Sequence, residues 1–291
     1  MLTPVDDKLR EWILADYGIG VVELTPIHEG ADVAAEVWRA STTAVDQHAG
    51  GATTGDQYAV KWSGGGTDAG TRATAHLSAR GVRGIPEPIR TLTGEPHTHR
   101  GGRRLSLTRW VEGARAAETG LTTEQWSQYG ALLARVHSTE PSAALIETLP
   151  SLNPINARMP ALVDQLTHRL TTQAPQDAVE AELAKVWHEN DETIKGLLKL
   201  AAELERPNGI PVICHADPHL GNVLRTEDQL YLIDWDDVVL APREQDLMFM
   251  LGGMGTLGPT TPEQLDAFFT GYGLTGSSIL TGHDTRSLPA G

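Results

Sequence analysis

The hydrophobic period of this chain changes once, near Gly113, and that change limits the fold more than any other feature of the sequence. Before it, apolar residues come in short runs bounded by glycine, proline and polar clusters, the pattern of strands. The runs are 21–28, 34–41, 57–62, 89–92 and 105–111. A helix over 6–17 precedes them, with Leu9, Trp12, Ile13 and Leu14 near one face, and another over 67–80 is weakened by Gly70. Residues 41–56, rich in Gly, Thr and Ala, read as a long hairpin loop, and a polar, His- and Gly-rich loop separates the last two runs. After Gly113 the spacing becomes helical. Thr122 and Gln125 make a capping-box pattern that opens a helix over 122–138. Further helices are predicted over 156–172, 176–206, 243–251 and 262–272, with short strands at 212–215, 223–225 and 230–233. This is an α+β layout: a β-rich lobe over 1–112, a mainly helical lobe over 113–276, and a tail over 277–291 that lacks a helical period and reads as disordered or truncated.

Charge narrows the partners. The chain of 291 residues carries 23 Lys+Arg against 38 Asp+Glu, a formal charge of −15. Such a field repels phosphate backbones, which argues against nucleic acid, and it attracts a cationic small molecule. Cys214 is the single cysteine, so no intrachain disulfide forms, and its place at a strand end reads as core. The first dozen residues lack the apolar centre of a signal peptide, and no run of about 18 apolar residues is present. A cytoplasmic protein without a membrane partner is the expectation; the sequence sets no oligomeric state.

The densest polar cluster is His215-Ala216-Asp217-Pro218-His219-Leu220-Gly221-Asn222, and Asp234 follows twelve residues after Asn222. The strands predicted between them can pair across Thr226–Gln229, which would set Asn222 beside Asp234 with Asp217 on the loop leading in. Phosphoryl transfer needs such a set: one carboxylate to orient a hydroxyl and take its proton, an amide oxygen and a second carboxylate for Mg²⁺, and a lysine against phosphate charge. The five-residue step from Asp217 to Asn222 equals that of the kinase catalytic loop, with His215 and Asp217 keeping its first and third positions. Lys61, in Tyr58-Ala59-Val60-Lys61-Trp62, ends a predicted strand as the kinase strand lysine does. His215 and His219 have the i, i+4 spacing of zinc ligands, but Pro218 argues against a helix there. His97 and His99 read as exposed loop residues. Ser63-Gly64-Gly65-Gly66-Thr67 lacks the ending of a Walker loop.

The segments HADPHLGNVL, LIDWDDVVLAPREQDLMF and QWSQYGALLARVHST resemble the aminoglycoside phosphotransferase family, and most of all its spectinomycin phosphotransferase branch. The resemblance runs from about residue 8 to 273 and implies a bilobal, protein-kinase-like fold with a β-rich N-lobe and a mainly helical C-lobe. It implies ATP, with GTP as an alternative, and Mg²⁺. Asp217 would be the catalytic base or hydroxyl-orienting residue, and His215 would brace its loop. Asn222 and Asp234 would bind the metal, and Lys61 would contact the α- and β-phosphates. Gly30, in the turn Glu29–Asp32, would cover the phosphates. Arg109, Trp110 and Val111 would form the hinge that holds adenine, and Asp246 would be structural. Asp236 and Asp237 are candidates to face a cationic substrate, with a structural or solvent-facing role as the alternative. The sequence departs from the pattern in its incomplete phosphate loop, in its tail, and in the absence of a glutamate after Lys61, for which Asp68 is the nearest substitute. The activity implied is phosphorylation of a hydroxyl on a cationic aminoglycoside or aminocyclitol, giving antibiotic resistance. The alternatives are a choline, homoserine, fructosamine or macrolide kinase, or an inactive nucleotide-binding pseudokinase.

Overall fold

The computed structural model describes residues 4–27, 34–43, 54–65, 67–151, 158–203, 209–251 and 255–274. Gly30 and the tail over 277–291 lie outside them. Helix α1 (Pro4–Tyr17) leads into strands β1 (Val21–Ile27), β2 (Ala35–Thr43) and β3 (Thr54–Ser63), then helix α2 (Ala69–Ala79), then β4 (Thr98–Arg100) and β5 (Arg103–Arg109). These five strands form one antiparallel sheet in the order β1-β2-β3-β5-β4. Leu9 and Ile13 of α1 pack on Trp38, Val60, Leu105 and Leu107, which alternate inward along the strands and make the first core.

A helical region follows. It begins with β6 (Ala114–Arg115), α3 (Ala116–Thr119), α4 (Thr123–Ser138) and α5 (Ala143–Ile146). After the segment 151–210 come β7 (Val212–Cys214), β8 (Val223–Arg225), β9 (Leu230–Leu232) and β10 (Val239–Ala241), then helices with residue ranges Glu244–Leu251 and Pro262–Tyr272. The second core gathers Trp126, Tyr129 and Leu133 of α4 with Phe268, Phe269 and Tyr272, and takes in Ala73 and Leu77 of α2. Gly130 lets the two long helices of this core touch: a Cβ there would lie 1.9 Å from the Phe268 carbonyl. The predicted capping box is present, with Gln125 N–H donating to Thr122 Oγ1 at 3.2 Å and Thr122 N–H to Gln125 Oε1 at 3.0 Å.

By its contacts the chain divides into two units, one of residues up to Pro150 together with those from Pro211 on, the other Ser151–Ile210. The second unit holds α6 (Arg158–Thr172), α7 (Ala178–Glu189) and α8 (Asp191–Glu203), so the last two helices of the first unit are α9 (Glu244–Leu251) and α10 (Pro262–Tyr272). Within it Trp187 Nε1–H donates to Thr167 Oγ1 at 3.1 Å and Arg169 Nε–H to Glu180 Oε1 at 2.7 Å. The continuous helix predicted over 176–206 is two helices, separated at Asn190.

Other expectations change as well. Residues 89–92 form no strand: Ile89 N–H bonds Leu107 at 2.8 Å, but Thr91 then turns back onto Glu95. The strand forms instead at Thr98–Arg100, because Gly101 and Gly102, at φ 60° and 77°, make a tight hairpin into β5. His97 is consequently buried, not a loop residue in solvent, although His99 is exposed. Strand β7 pairs with β10, a strand not predicted from the sequence. Gly70 does not undermine α2. A Cβ there would stand 2.4 Å from the Trp235 carbonyl, so the missing side chain is what lets the helix rest on the loop after β9. Among the described residues no helix is long and apolar enough to cross a membrane.

Candidate active site

The loop after β7 takes its shape from a buried carboxylate. Asp246, on α9 and fully buried, accepts the backbone N–H of His215 at 2.8 Å and of Ala216 at 2.7 Å. His137 of α4 lies against the same carboxylate at 3.0 Å and meets the Tyr272 hydroxyl of α10 at 2.6 Å. These contacts hold Ala216 at φ 68°, a left-handed conformation that costs a side-chain-bearing residue about 1–2 kcal/mol. The Tyr129 hydroxyl donates to the Pro218 carbonyl, and burial pushes that phenol's pKa well up, so it stays a donor.

His215 ties this loop to the one after β9. Its Nε2–H donates to the Ile233 carbonyl at 2.9 Å, Nδ1 receives the Asp217 N–H at 3.3 Å, and the ring packs edge-on against Trp235 at 4.7 Å. Burial holds the imidazole below its ordinary pKa, which fixes the neutral ring that both bonds require. His219 is turned elsewhere: Nδ1 receives the Gly221 N–H at 2.9 Å and Nε2 lies 3.4 Å from Asp217 Oδ2. The two histidines therefore do not converge as zinc ligands. Cys214 is buried at the end of β7, and burial raises its thiol pKa, in line with a core residue.

Asn222 gives its side-chain amide to the Asp217 carbonyl and to Asp217 Oδ2, each at 2.9 Å. Its backbone carbonyl accepts from Ile233 N–H at 2.9 Å, which closes the hairpin and brings Asp234 to the same end of it. Asp234 sits at φ 62° and meets Lys61 Nζ at 2.7 Å through Oδ1. Asp236 Oδ2 lies 3.0 Å from the same Nζ. Burial pulls the lysine pKa down, but the two carboxylates outweigh it and the group stands above its ordinary value. Asp68, the partner expected from sequence, faces His97 and His99 instead.

Asp236 also accepts from Arg104 at 3.0 Å, and that buried arginine donates to the Thr67 carbonyl as well. This side chain was not singled out from the sequence, yet its signal was there. Ser106 pairs with Lys61 across β3 and β5, so Arg104, two residues on, shares the lysine's face of the sheet. The Asp237 residue has an exposed edge, but its carboxyl is crowded by neighbouring atoms, and this partial desolvation, then the charges of Asp217, Asp234 and Asp236, raises its pKa. Four carboxylates thus act on one small region.

A cavity of about 470 Å³ adjoins Lys61, Asp234 and Asp236. Ile27, Val37 and Ala59 line it from the sheet, and Leu224 and Ile233 from the hairpin, giving two apolar walls for a flat ring. Arg109, Trp110 and Val111 are part of its lining. The N–H groups of Arg109 and Trp110 already donate to the carbonyls of Glu87 at 3.2 Å and Gln57 at 3.0 Å. Trp110 stacks under the Arg39 guanidinium at 4.9 Å.

The model of the phosphotransferase enzyme family matches residues 67–286. Among solved structures, spectinomycin phosphotransferase APH(9)-Ia, in complex with ADP and spectinomycin, is 26% identical with a TM-score of 0.77, over 92% of this chain and 79% of that one. Amicoumacin kinase hAmiN, in complex with AMP-PNP, Ca²⁺ and Ami, is 16% identical at TM-score 0.58, over 92% and 77%. An aminoglycoside phosphotransferase from Alicyclobacillus acidocaldarius is 23% identical at TM-score 0.52, over 86% and 74%. No curated protein matches the chain. The last two likenesses concern the fold, a β-sheet region followed by a helical one as in kinase-like phosphotransferases. With the family model covering most of the sequence, and the hairpin and strand lysine meeting at one cavity, the chain belongs to the phosphotransferase enzyme family.

Proposed function

We propose that this enzyme transfers the γ-phosphate of ATP to a hydroxyl of a cationic aminocyclitol or aminoglycoside of the spectinomycin type, which would confer resistance to that antibiotic. The observation that carries the reading is the meeting of Lys61 with Asp234 beside the Asp217–Asn222 pair, at the edge of an apolar cavity. The donor set fits Mg²⁺. Asn222 commits its amide nitrogen to Asp217, which leaves its carbonyl oxygen as the accepting group, and Asp234 adds carboxylate oxygens. When bound there, the ion would offset negative charge on the transferring phosphoryl group.

Lys61 exchanges its carboxylate contact for nucleotide phosphate oxygens, and the cavity's two walls take the base. Asp217 accepts a hydrogen bond from the substrate hydroxyl and aims its oxygen at the γ-phosphorus. The new O–P bond forms as the bond from that phosphorus to the β–γ bridging oxygen breaks, ADP leaves, and the hydroxyl proton passes to the Asp217 carboxylate. The region shared by Asp217, Asp234, Asp236 and Asp237 favours ammonium groups on the acceptor.

The test is ATP consumption with Mg²⁺ across spectinomycin, other aminoglycosides, choline, homoserine and a macrolide, with Asp217→Ala as control. Turnover on a cationic antibiotic, lost in the variant, is the expected result. Turnover confined to a metabolic alcohol, or none with nucleotide still bound, overturns it.

A further inference from the structure

Away from the nucleotide cavity, Asp68, His97 and His99 converge at the start of α2 and the edge strand β4. Asp68 holds the N-cap position of α2, where an aspartate ordinarily accepts a backbone N–H of the first turn, yet its side chain caps nothing. Its carboxylate instead lies between two imidazoles, Oδ2 at 3.1 Å from His97 Nε2 and Oδ1 at 3.5 Å from His99 Nε2. His97 and His99 are two residues apart on an extended chain and so fall on one side of it.

His97 Nδ1 lies 2.8 Å from the Thr71 hydroxyl, which itself lies 2.9 Å from the Asp68 carbonyl, while Nε2 points at the Asp68 carboxylate. When the Thr71 hydroxyl donates to that carbonyl, it accepts from Nδ1–H and leaves the Nε2 lone pair for a ligand. A hydrogen-bonded Nδ1–H with Nε2 free is also the arrangement in which second-shell partners hold metal-binding histidines.

We propose that Asp68, His97 and His99 form a binding site for Zn²⁺ or a similar borderline transition-metal ion, separate from the catalytic metal ligands. All three ligand atoms lie within 4.8 Å of one another. Zinc–nitrogen and zinc–oxygen bonds of about 2.0–2.2 Å in tetrahedral array set ligand atoms roughly 3.3 Å apart, and each imidazole nitrogen lies near that distance from its own oxygen of the carboxylate, at 3.1 Å and 3.5 Å. The site opens on a cavity of about 450 Å³, which leaves room for water as a fourth ligand. The cations that share the cavity's surroundings are engaged: Arg72 by Glu95 at 3.6 Å and Arg100 by Asp16. The bound ion would pin the first turn of α2 to β4, next to the Gly70 contact with Trp235.

The test is calorimetric titration of the chelator-treated full chain with Zn²⁺ in excess Mg²⁺, together with Co²⁺ absorption spectra. One equivalent of Zn²⁺ is expected, with visible Co²⁺ bands of four-coordinate strength. Thr71→Val should weaken binding by about 10–100-fold, and His99→Gln and Asp68→Asn at least as much. His99 is exposed, so its variant tests the site without disturbing the core. Asp234→Asn should leave Zn²⁺ affinity unchanged. Absence of binding to the wild-type chain, undiminished affinity in His99→Gln, or loss in Asp234→Asn alone would overturn the proposal.

Discussion

Asp236 Oδ2 stands 3.0 Å from Lys61 Nζ while the same carboxylate accepts from Arg104 through its other oxygen, also at 3.0 Å. One aspartate therefore links the strand lysine to a buried arginine on the neighbouring strand. Helix α2 contains no acidic residue that could do so. The unpaired lysine implied by the sequence does not exist.

Asp236→Asn should disturb nucleotide binding more than acceptor binding. Loss of one charge-assisted contact is expected to raise the KM for ATP by about tenfold, with the acceptor KM unchanged and Asp236→Glu restoring part of the loss. Steady-state kinetics with each substrate varied checks this. A rise confined to the acceptor KM would return Asp236 to the substrate role.

Asp217→Ala should lower kcat by about 10²–10⁴-fold and leave nucleotide affinity nearly intact. The reason is geometric: Asp217 bonds Asn222 and neighbours His219, and it is not among the residues that line the nucleotide cavity. Turnover assays paired with ADP-binding titrations separate the two effects.

Alanine at position 70 would improve helix propensity by about 1 kcal/mol. Its Cβ would nevertheless collide with the Trp235 carbonyl, which is backbone and cannot rotate aside. Gly70→Ala is expected to destabilise the chain by about 1–3 kcal/mol and to lower activity by shifting Asp234 and Asp236. Urea unfolding and kcat measured on the same preparation check both parts.

Protonation of His215 sets a pH dependence. Burial keeps the folded-state pKa below the ordinary 6.5, so the unfolded chain binds this proton more readily than the folded one. The stabilising contribution is complete above 6.5 and is lost as pH falls below it, with a slope of up to about 1.4 kcal/mol per pH unit. His215→Gln should flatten the dependence of unfolding free energy between pH 6.5 and 5.5, measured by urea titration at several pH values.

What could be read from the sequence was what lies close along it. Asp217 and Asn222 are five residues apart and Asp234 is joined to them by one short hairpin, so spacing alone brought them together. Lys61 was legible as a strand end, but its partners depend on the register of β3 against β5 and on the loop after β9. No local pattern encodes either. Strand β10 is three residues long and buried throughout, which leaves no alternation to detect. The polar stretch around His97 has no hydrophobic alternation of its own, and it becomes part of the sheet through the Gly101-Gly102 turn that follows it.

The Asp246 carboxylate has a consequence for how this enzyme fails. The cavity beside Lys61 takes much of its wall from the sheet, whereas the loop carrying Asp217 is shaped by α4, α9 and α10 through Asp246, His137 and Tyr272. Loosening of those three helices releases Ala216 from its left-handed geometry and scatters Asp217 while the sheet still stands. Heat or a core mutation in the helical region would then silence the chemistry first and leave behind a protein that still recognises its nucleotide.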